Sequence, residues 1–184
     1  MLGLCHYALA EYGDAAASFE RVRTSVPTFE PVYFNLTDSY QVQNKFGDAL
    51  AVLAAAHKRF PKDAEIYDAQ GVIQIHTGAL IDAIGSFERA TKLAPKDPLG
   101  FFNLASAHHI AALRLRQLST STSSQQSDLS PDERRLVMAS GGSGLRGKAS
   151  WQRSAAIEAY RRVIALKGDY VEQATKGLAA LEAK

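Results

Sequence analysis

The feature that most constrains the fold of this chain is a repeat with a period of 34 residues. Pro27, Pro61 and Pro95 follow one another at this spacing. Further columns keep the same register, and each holds one size or chemical class: Asp14, Asp48 and Asp82; Ala15, Ala49 and Ala83; Phe19, Leu53 and Phe87; Val22, Ala56 and Ala90. A fixed period of this length indicates stacked structural repeats, each of which is one supersecondary unit.

Each column has a structural interpretation. The aspartates precede apolar runs at helical spacing, so they are predicted to cap helices. The other non-proline columns fall on one stripe of that helix, where alanine lets a neighbouring helix approach closely. The prolines cannot continue a helix and therefore mark its end.

The first half of each unit is also predicted to be helical. Apolar residues recur at i, i+3 and i+7 in two of the units, at Tyr33, Leu36 and Tyr40 and at Phe101, Leu104 and His108. Each unit is thus a pair of helices that cannot bury its apolar stripe alone, so successive units must stack. The predicted fold class is all-α, a right-handed α-solenoid of helix-turn-helix repeats.

At this point the chain resembles the tetratricopeptide repeat family. The second unit matches its pattern with Tyr33, Leu36, Thr37, Tyr40, Ala49, Leu53, Ala56 and Pro61. The third matches with Tyr67, Gly71, Ala83, Phe87, Ala90 and Pro95. The first keeps Leu2, Gly3, Ala15, Phe19, Val22 and Pro27. The resemblance implies helical hairpins, a concave binding groove and a non-catalytic role.

The expected organisation is a single array over residues 1–184. Its repeats are predicted at 1–27, which is truncated, and at 28–61, 62–95 and 96–168, followed by a capping helix at 169–184. Met1 already occupies the sixth slot of the first repeat, so we expect a piece of a longer array. The fourth repeat places its second-helix alanine at Ala156, which implies an insertion at about 117–150.

The insertion contains "SGGSGLRGKAS" at residues 140–150, where Gly142, Gly144 and Gly147 fit a phosphate-loop spacing. Such a loop needs a strand before it and a parallel sheet, which the repeat frame does not supply. Together with "STSTSSQQS" at 119–127, the segment is predicted to be flexible and dispensable for folding. A short helix beginning after Ser130, with Pro131 in its first turn, is expected inside it.

Catalytic and metal chemistry find little support in the sequence. Cys5 is the single cysteine, and adjacent His108 and His109 point about 100° apart on a helix. His57 and His76 lack partners at metal-ligand spacing. We therefore expect no enzyme activity, no cofactor and no metal. No apolar run is long enough to span a bilayer, and a cytoplasmic protein is expected.

The resemblance also implies which side chains face the concave groove and bind a protein or peptide partner. They are Phe34, Asn35, Asp38, Asp68, Val72, Phe102, Asn103, Ser106 and His109. In peptide-binding members, an asparagine in the slot of Asn35 and Asn103 grips the peptide backbone. The lysines and arginines that clamp chaperone C-terminal tails are replaced here by Phe34, Asp68 and Phe102, so such tails are not expected.

An alternative function is the binding of nucleic acid or an anionic surface. Residues 113–167 hold ten Lys and Arg against four Asp and Glu, although the whole chain carries a net charge of only +2. The candidate residues are Arg114, Arg116, Arg134, Arg135, Arg146, Lys148 and Arg153. Residues 117–150 contain no aromatic side chain, so a platform for base stacking is missing. Nucleic acid is therefore the less favoured partner.

Overall fold

The computed structural model describes residues 2–121 and 129–183, which form helices and no strand. The helices of these residues are α1 (Leu2–Ala8), α2 (Tyr12–Ser25), α3 (Pro31–Val42), α4 (Phe46–Arg59), α5 (Ala64–His76), α6 (Leu80–Leu93), α7 (Pro98–Thr120), α8 (Pro131–Ala139), α9 (Gly144–Leu166) and α10 (Val171–Glu182). Helices α1 to α7 each pack against the next along the chain, and α7 packs most extensively on α9. The predicted all-α stack of helical hairpins is confirmed.

Three tight turns close the first three hairpins. Ala10, Asn44 and Gly78 have positive φ angles of 61°, 58° and 82°, and they stand 34 residues apart. After each of them, the next backbone N–H bonds to the carbonyl five residues earlier, at 2.8–2.9 Å. This left-handed residue ends the first helix, and the second begins almost at once. Alanine, asparagine and glycine share no side-chain chemistry, so the column is easy to miss in the sequence.

The expectation that Asp14, Asp48 and Asp82 cap their helices is wrong. Helices α2, α4 and α6 begin two residues earlier, and each aspartate lies in the first turn. A carboxylate in this position still favours the helix, because it faces the positive end of the helix dipole. The aspartates that do cap helices are Asp63 and Asp97, which accept from the N–H groups of Glu65 and Leu99 at 2.8 and 3.0 Å.

The predicted packing columns form the core, with one exception. The three alanines of the first column and Phe19, Leu53 and Phe87 are buried, as are Ala56 and Ala90. Val22, by contrast, is 39% exposed in the C-terminal part of α2. The prolines behave as predicted, since α2, α4 and α6 each end two residues before one.

Small residues on the first helices make room for the large residues on the second. A Cβ atom at Gly71 would lie 2.5 Å from Cε1 of Phe87, and one at Gly3 would lie 2.7 Å from Cε1 of Phe19. The second repeat has Thr37 in this column, and its counterpart is the smaller Leu53. The two helices of each hairpin are thus matched in volume.

The fourth repeat departs from the others at its turn. The position equivalent to Ala10, Asn44 and Gly78 is Ala112, which lies inside α7. Helix α7 therefore continues to Thr120, and its partner α9 begins early, at Gly144, so that each helix has 23 residues. Residues 122–127 of the serine-rich stretch lie outside the described residues.

The prediction of a flexible insertion is wrong for residues 129–150. Helix α8 begins as expected after Ser130, which forms a capping box with Glu133. Leu136 on this helix is buried in a cluster with Ala83 and Ile84. The glycine-rich stretch enters α9 rather than forming a linker, because buried apolar contacts offset the cost of ordering it.

A buried chain of hydrogen bonds ties the insertion to α7. His108 donates from Nδ1 to Oε1 of Gln152 at 2.5 Å, and Gln152 donates from Nε2 to Oγ of Ser140 at 2.8 Å. The hydroxyl of Ser140 donates in turn to the carbonyl of Leu136 at 2.8 Å. His108 is the core histidine that the sequence predicts, and burial lowers its pKa.

Candidate protein-binding surface

The nine residues predicted to face the groove all lie on first helices of their repeats. Phe34, Asn35 and Asp38 are on α3, Asp68 and Val72 on α5, and Phe102, Asn103, Ser106 and His109 on α7. Asp38 is exposed, Asp68 is buried, and the other seven are half-buried. The set therefore mixes residues open to a partner with residues that already have contacts inside the protein.

Two of these residues meet across neighbouring repeats. Asn103 donates from Nδ2 to Oδ1 of Asp68 at 3.3 Å. Burial raises the pKa of Asp68 to about 6, although the bond from Asn103 favours the charged form. This contact joins α5 to α7.

Asn35 and Asn103 share a repeat slot but differ in their surroundings. The side chain of Asn103 is engaged by Asp68, whereas the Asn35 side chain makes no hydrogen bond within the part of the chain that is described. Asn35 is thus the amide in this slot whose side chain has no hydrogen-bond partner among the described residues.

The two phenylalanines of the predicted groove contact the core. Phe102 stacks on Tyr170 with ring centres 5.1 Å apart and lies 6.1 Å from the ring of Tyr160. It thus helps to join α7 to α9 and to Tyr170, which directly precedes α10. Phe34 packs against the buried cluster formed by α2 to α5. Both rings keep one accessible part, because each is only half-buried.

The three remaining groove residues on α5 and α7 are held by nearby groups. Val72 packs against the cluster around Phe87. The hydroxyl of Ser106 donates to the carbonyl of Phe102 at 2.9 Å. The imidazole of His109 meets the ring of Tyr160 edge-on, with centres 6.4 Å apart.

A hollow of about 410 Å³ lies next to Asp38. It is lined by Asp38 and by six residues that were not predicted: Tyr7, Gln41, Val42, Asn44, Phe46 and His76. The rings of Phe46 and His76 are stacked with centres 6.0 Å apart and form one wall. Desolvation raises the pKa of Asp38, and burial together with the Asp38 charge raises the pKa of Tyr7.

A sequence signal for this hollow exists. Tyr7 and Gln41 stand 34 residues apart, as do Val42 and His76. Both pairs lie one helical turn beyond the slot of Asp38, on the side that leads to the hairpin turn. Extending the groove by one turn along each first helix would have included them.

Most of the basic residues in the insertion region bond within the protein. Arg114 pairs with Glu133, and Arg135 donates to both carboxylate oxygens of Asp82 at 2.7 and 2.5 Å. Arg134, Lys148 and Arg153 donate to backbone carbonyls at 2.9, 2.7 and 2.8 Å. These cations hold α8 and α9 in place. Fewer of them are therefore available to bind nucleic acid phosphates than the sequence suggests.

One group of side chains in the described residues has metal-ligating types close together. Donor atoms of His6, Glu11 and Asp14 lie within 4.8 Å of one another. His6 already bonds to Glu11, with 2.6 Å between Nδ1 and Oε2, and both carboxylates are exposed. The arrangement is a surface hydrogen bond between His6 of α1 and Glu11, which directly precedes α2. His57 Nε2 lies 3.1 Å from the hydroxyl of Tyr67, and His57 belongs to no group of metal-ligating side chains among the described residues.

No helix formed by the described residues combines the length and the hydrophobicity needed to cross a bilayer.

Comparison with known proteins agrees with this architecture. A family model described as "Tetratricopeptide repeat" matches residues 34–98. No curated protein matches the chain significantly. Among solved structures, a crystal structure of MamA superposes with a TM-score of 0.67 at 15% identity, covering 100% of this chain and 84% of MamA.

Two further structures share the fold. MamA from Desulfovibrio magneticus RS-1 has a TM-score of 0.58 at 18% identity, covering 90% of this chain and 71% of that one. The first TPR of Spaghetti (RPAP3), solved with the HSP90 peptide SRMEEVD, has a TM-score of 0.52 at 18% identity. The match covers 57% of this chain and 83% of that one. Residues 34–98 thus match the tetratricopeptide-repeat family model, and the chain as a whole shares the fold of stacked helical hairpins with these neighbours.

Proposed function

We propose that the chain is a non-catalytic scaffold that binds an extended peptide segment of a partner protein along α3, α5 and α7. The observation that carries the proposal is the surface running from the hollow beside Asp38 to the Asp68–Asn103 contact. Polar side chains of successive first helices follow one another on it, as a groove for an extended chain requires.

The amide of Asn35 is suited to hold a peptide backbone. An amide both donates and accepts, so it satisfies an N–H and a C=O of an extended strand whatever the peptide sequence. The neighbouring hollow of about 410 Å³, walled by Phe46 and His76, has room for one partner side chain. The structure of the RPAP3 repeat domain with a peptide supports this mode, because it has a similar fold.

The charge of this surface selects against acidic peptides. Its acidic groups are Asp38 and Asp68, and the slots of the chaperone-tail clamp hold Phe34, Asp68 and Phe102. A carboxylate in that position would meet like charge and an apolar ring, which disfavours it. We therefore expect a neutral or basic peptide segment here rather than a chaperone C-terminal tail.

The test begins with capture of a partner by the intact chain, followed by mapping of the bound peptide. Asn35→Ala and Asp38→Ala should then weaken that peptide by about 1–3 kcal/mol for each lost buried bond. Lys58→Ala, an exposed position on α4, serves as the matched control. Isothermal calorimetry reports the affinities.

A fourth variant separates binding from folding. Tyr33 is buried and donates to the carbonyl of Pro27 at 2.9 Å. Tyr33→Ala should therefore lower the melting temperature, and it should lower affinity only as a consequence of that lost stability. Asn35→Ala should leave the melting temperature unchanged. Equal affinity of the Asn35→Ala, Asp38→Ala and parent chains would contradict the proposed groove.

A further inference from the structure

A second hollow, of about 570 Å³, lies where the long helices α7 and α9 extend past the shorter α10. Helices α7 and α9 have 23 residues each, whereas α10 has 12. The C-terminal end of α10 reaches the hollow with Leu181, and Leu113 of α7 contributes another apolar side chain to its lining. The hollow is therefore a product of the long α7–α9 hairpin.

Its lining carries a concentrated positive charge. Arg116 of α7 and Arg146 and Arg153 of α9 all line it, and none of the described residues around it is acidic. The Arg153 guanidinium is held by the carbonyl of Leu181, with Nε donating at 2.8 Å. Arg116 and Arg146 are exposed and form no ion pair within residues 2–121 and 129–183.

The rest of the insertion region gives the contrast. Arg114 and Arg135 have carboxylate partners in Glu133 and Asp82. Three guanidinium groups around one concave space, without a counter-charge among the described residues, repel one another until an anion enters. An arginine fork also binds a carboxylate through two parallel hydrogen bonds.

We propose that this hollow, defined by Arg116, Arg146, Arg153, Leu113 and Leu181, binds an acidic segment of the partner protein. This inference rests on the proposed function and adds a second contact of opposite charge preference. Its volume falls in the range of pockets that hold a few side chains. The apolar residues beside the arginines suit a segment in which carboxylates alternate with leucine-like side chains.

Nucleic acid fits the same charge less well. None of the described lining residues is a phenylalanine, tyrosine or tryptophan, so bases find no aromatic ring to stack on. His109 lines the hollow and belongs to the predicted groove, so the two surfaces adjoin on α7. A partner that binds both is oriented, with its acidic segment at α7 and α9 and its neutral or basic segment at α3 and α5.

The test uses fluorescence anisotropy with the full chain and a labelled peptide, Leu-Glu-Glu-Leu-Asp-Glu-Leu. The comparison peptide has the same length with amides in place of carboxylates, Leu-Gln-Gln-Leu-Asn-Gln-Leu. We expect the acidic peptide to bind, and the double variant Arg116→Gln with Arg146→Gln to weaken it by about tenfold or more. The amide peptide should show no binding below about 1 mM.

The control removes the same charge elsewhere. Lys58 and Lys62 are exposed near the end of α4, and their double change to glutamine should alter the affinity by less than about twofold. An equal loss in this control would show that the overall charge is responsible and would overturn the proposal. Failure of the acidic peptide to bind the parent chain below about 1 mM would overturn it as well.

Two further arms separate the remaining explanations. A single-stranded oligonucleotide of twelve thymidines competes with the peptide, and displacement at a lower concentration than the unlabelled acidic peptide would favour nucleic acid instead. Asn35→Ala should leave binding of the acidic peptide unchanged while it weakens the captured partner. If the arginine variant binds the acidic peptide normally but Asn35→Ala still weakens the partner, this inference falls and the proposed groove stands.

Discussion

Asn103 and Asp68 form a hydrogen bond of 3.3 Å between the first helices of two neighbouring repeats. The bond places a buried carboxylate at a repeat interface, and its pKa is raised to about 6 because burial disfavours the charge. An aspartate with this environment titrates in a range where the unfolded chain, with a pKa of about 3.9, is already ionised.

The first prediction follows from the sign of this difference. Between the two pKa values the folded protein binds more protons than the unfolded chain, so the Asp68 contribution to stability is present at low pH and lost as pH rises through about 6. Asp68→Asn should therefore raise the free energy of unfolding at pH 7.5 by about 2–3 kcal/mol relative to the parent and have little effect near pH 4. Urea unfolding at both pH values measures the difference.

The exposed Asp169 provides the control for this experiment. Asp169→Asn should leave the difference between the two pH values as it is in the parent. A pH dependence that Asp68→Asn does not alter would show that the carboxylate is equally solvated in the folded and unfolded states.

A second prediction concerns the insertion, which the structure shows packed on α6 and α7. Leu136→Ala removes a buried side chain that contacts the third repeat, so it should cost about 2–4 kcal/mol. Met138 on the same helix is 83% exposed, and Met138→Ala should cost less than about 0.5 kcal/mol. Thermal unfolding followed by circular dichroism distinguishes them. Equal melting temperatures for the two variants would mean that α8 is not docked in solution.

The third prediction tests the volume match inside a hairpin. Gly71→Ala places a methyl group against the ring of Phe87 and should cost about 1–3 kcal/mol. Phe87→Leu should recover part of this loss in the double variant, since Thr37 and Leu53 form the corresponding pair in the second repeat. Gly85→Ala, where an added Cβ meets nothing within 4 Å, should instead stabilise α6 by about 0.5–1 kcal/mol. Additive effects of the first two changes would contradict the match.

The fourth prediction addresses the buried hydrogen bonds between α7 and α9. Gln152→Leu leaves the Nδ1–H of His108 without its acceptor and should cost about 1–3 kcal/mol in urea unfolding. Gln117 lies exposed on α7, and Gln117→Leu should change stability by less than about 0.5 kcal/mol. An unchanged free energy of unfolding in Gln152→Leu would indicate that a water molecule replaces the lost acceptor.

The repeat was readable from the sequence because it depends on local chemistry. Proline ends a helix wherever it stands, and an alanine on an apolar stripe marks a close helix contact, so Pro61 and Ala49 indicate structure without knowledge of the rest. The turn column of Ala10, Asn44 and Gly78 was missed because a φ angle is shared there rather than a side chain.

The order of the insertion depends on contacts that sequence spacing does not reveal. His108 and Gln152 are 44 residues apart, and Arg135 meets Asp82 across 53. Glycine and serine content predicted a linker, whereas the structure buries the apolar Leu136 of the same segment against α6. For the predicted groove residues, the positions on α3, α5 and α7 followed from the repeat spacing, but the pairing of Asn103 with Asp68 depends on how neighbouring repeats pack against each other.

Helix α8 contacts α6 as well as α7, and thus it fastens the third repeat to the fourth from outside the row of hairpins. In a linear array, each repeat contacts only its immediate neighbours, and a terminal repeat can unfold while the others stay folded. We therefore expect α6, α7 and α9 to open together, so that their amide hydrogens exchange together, while those of α1 and α2 exchange earlier by local opening.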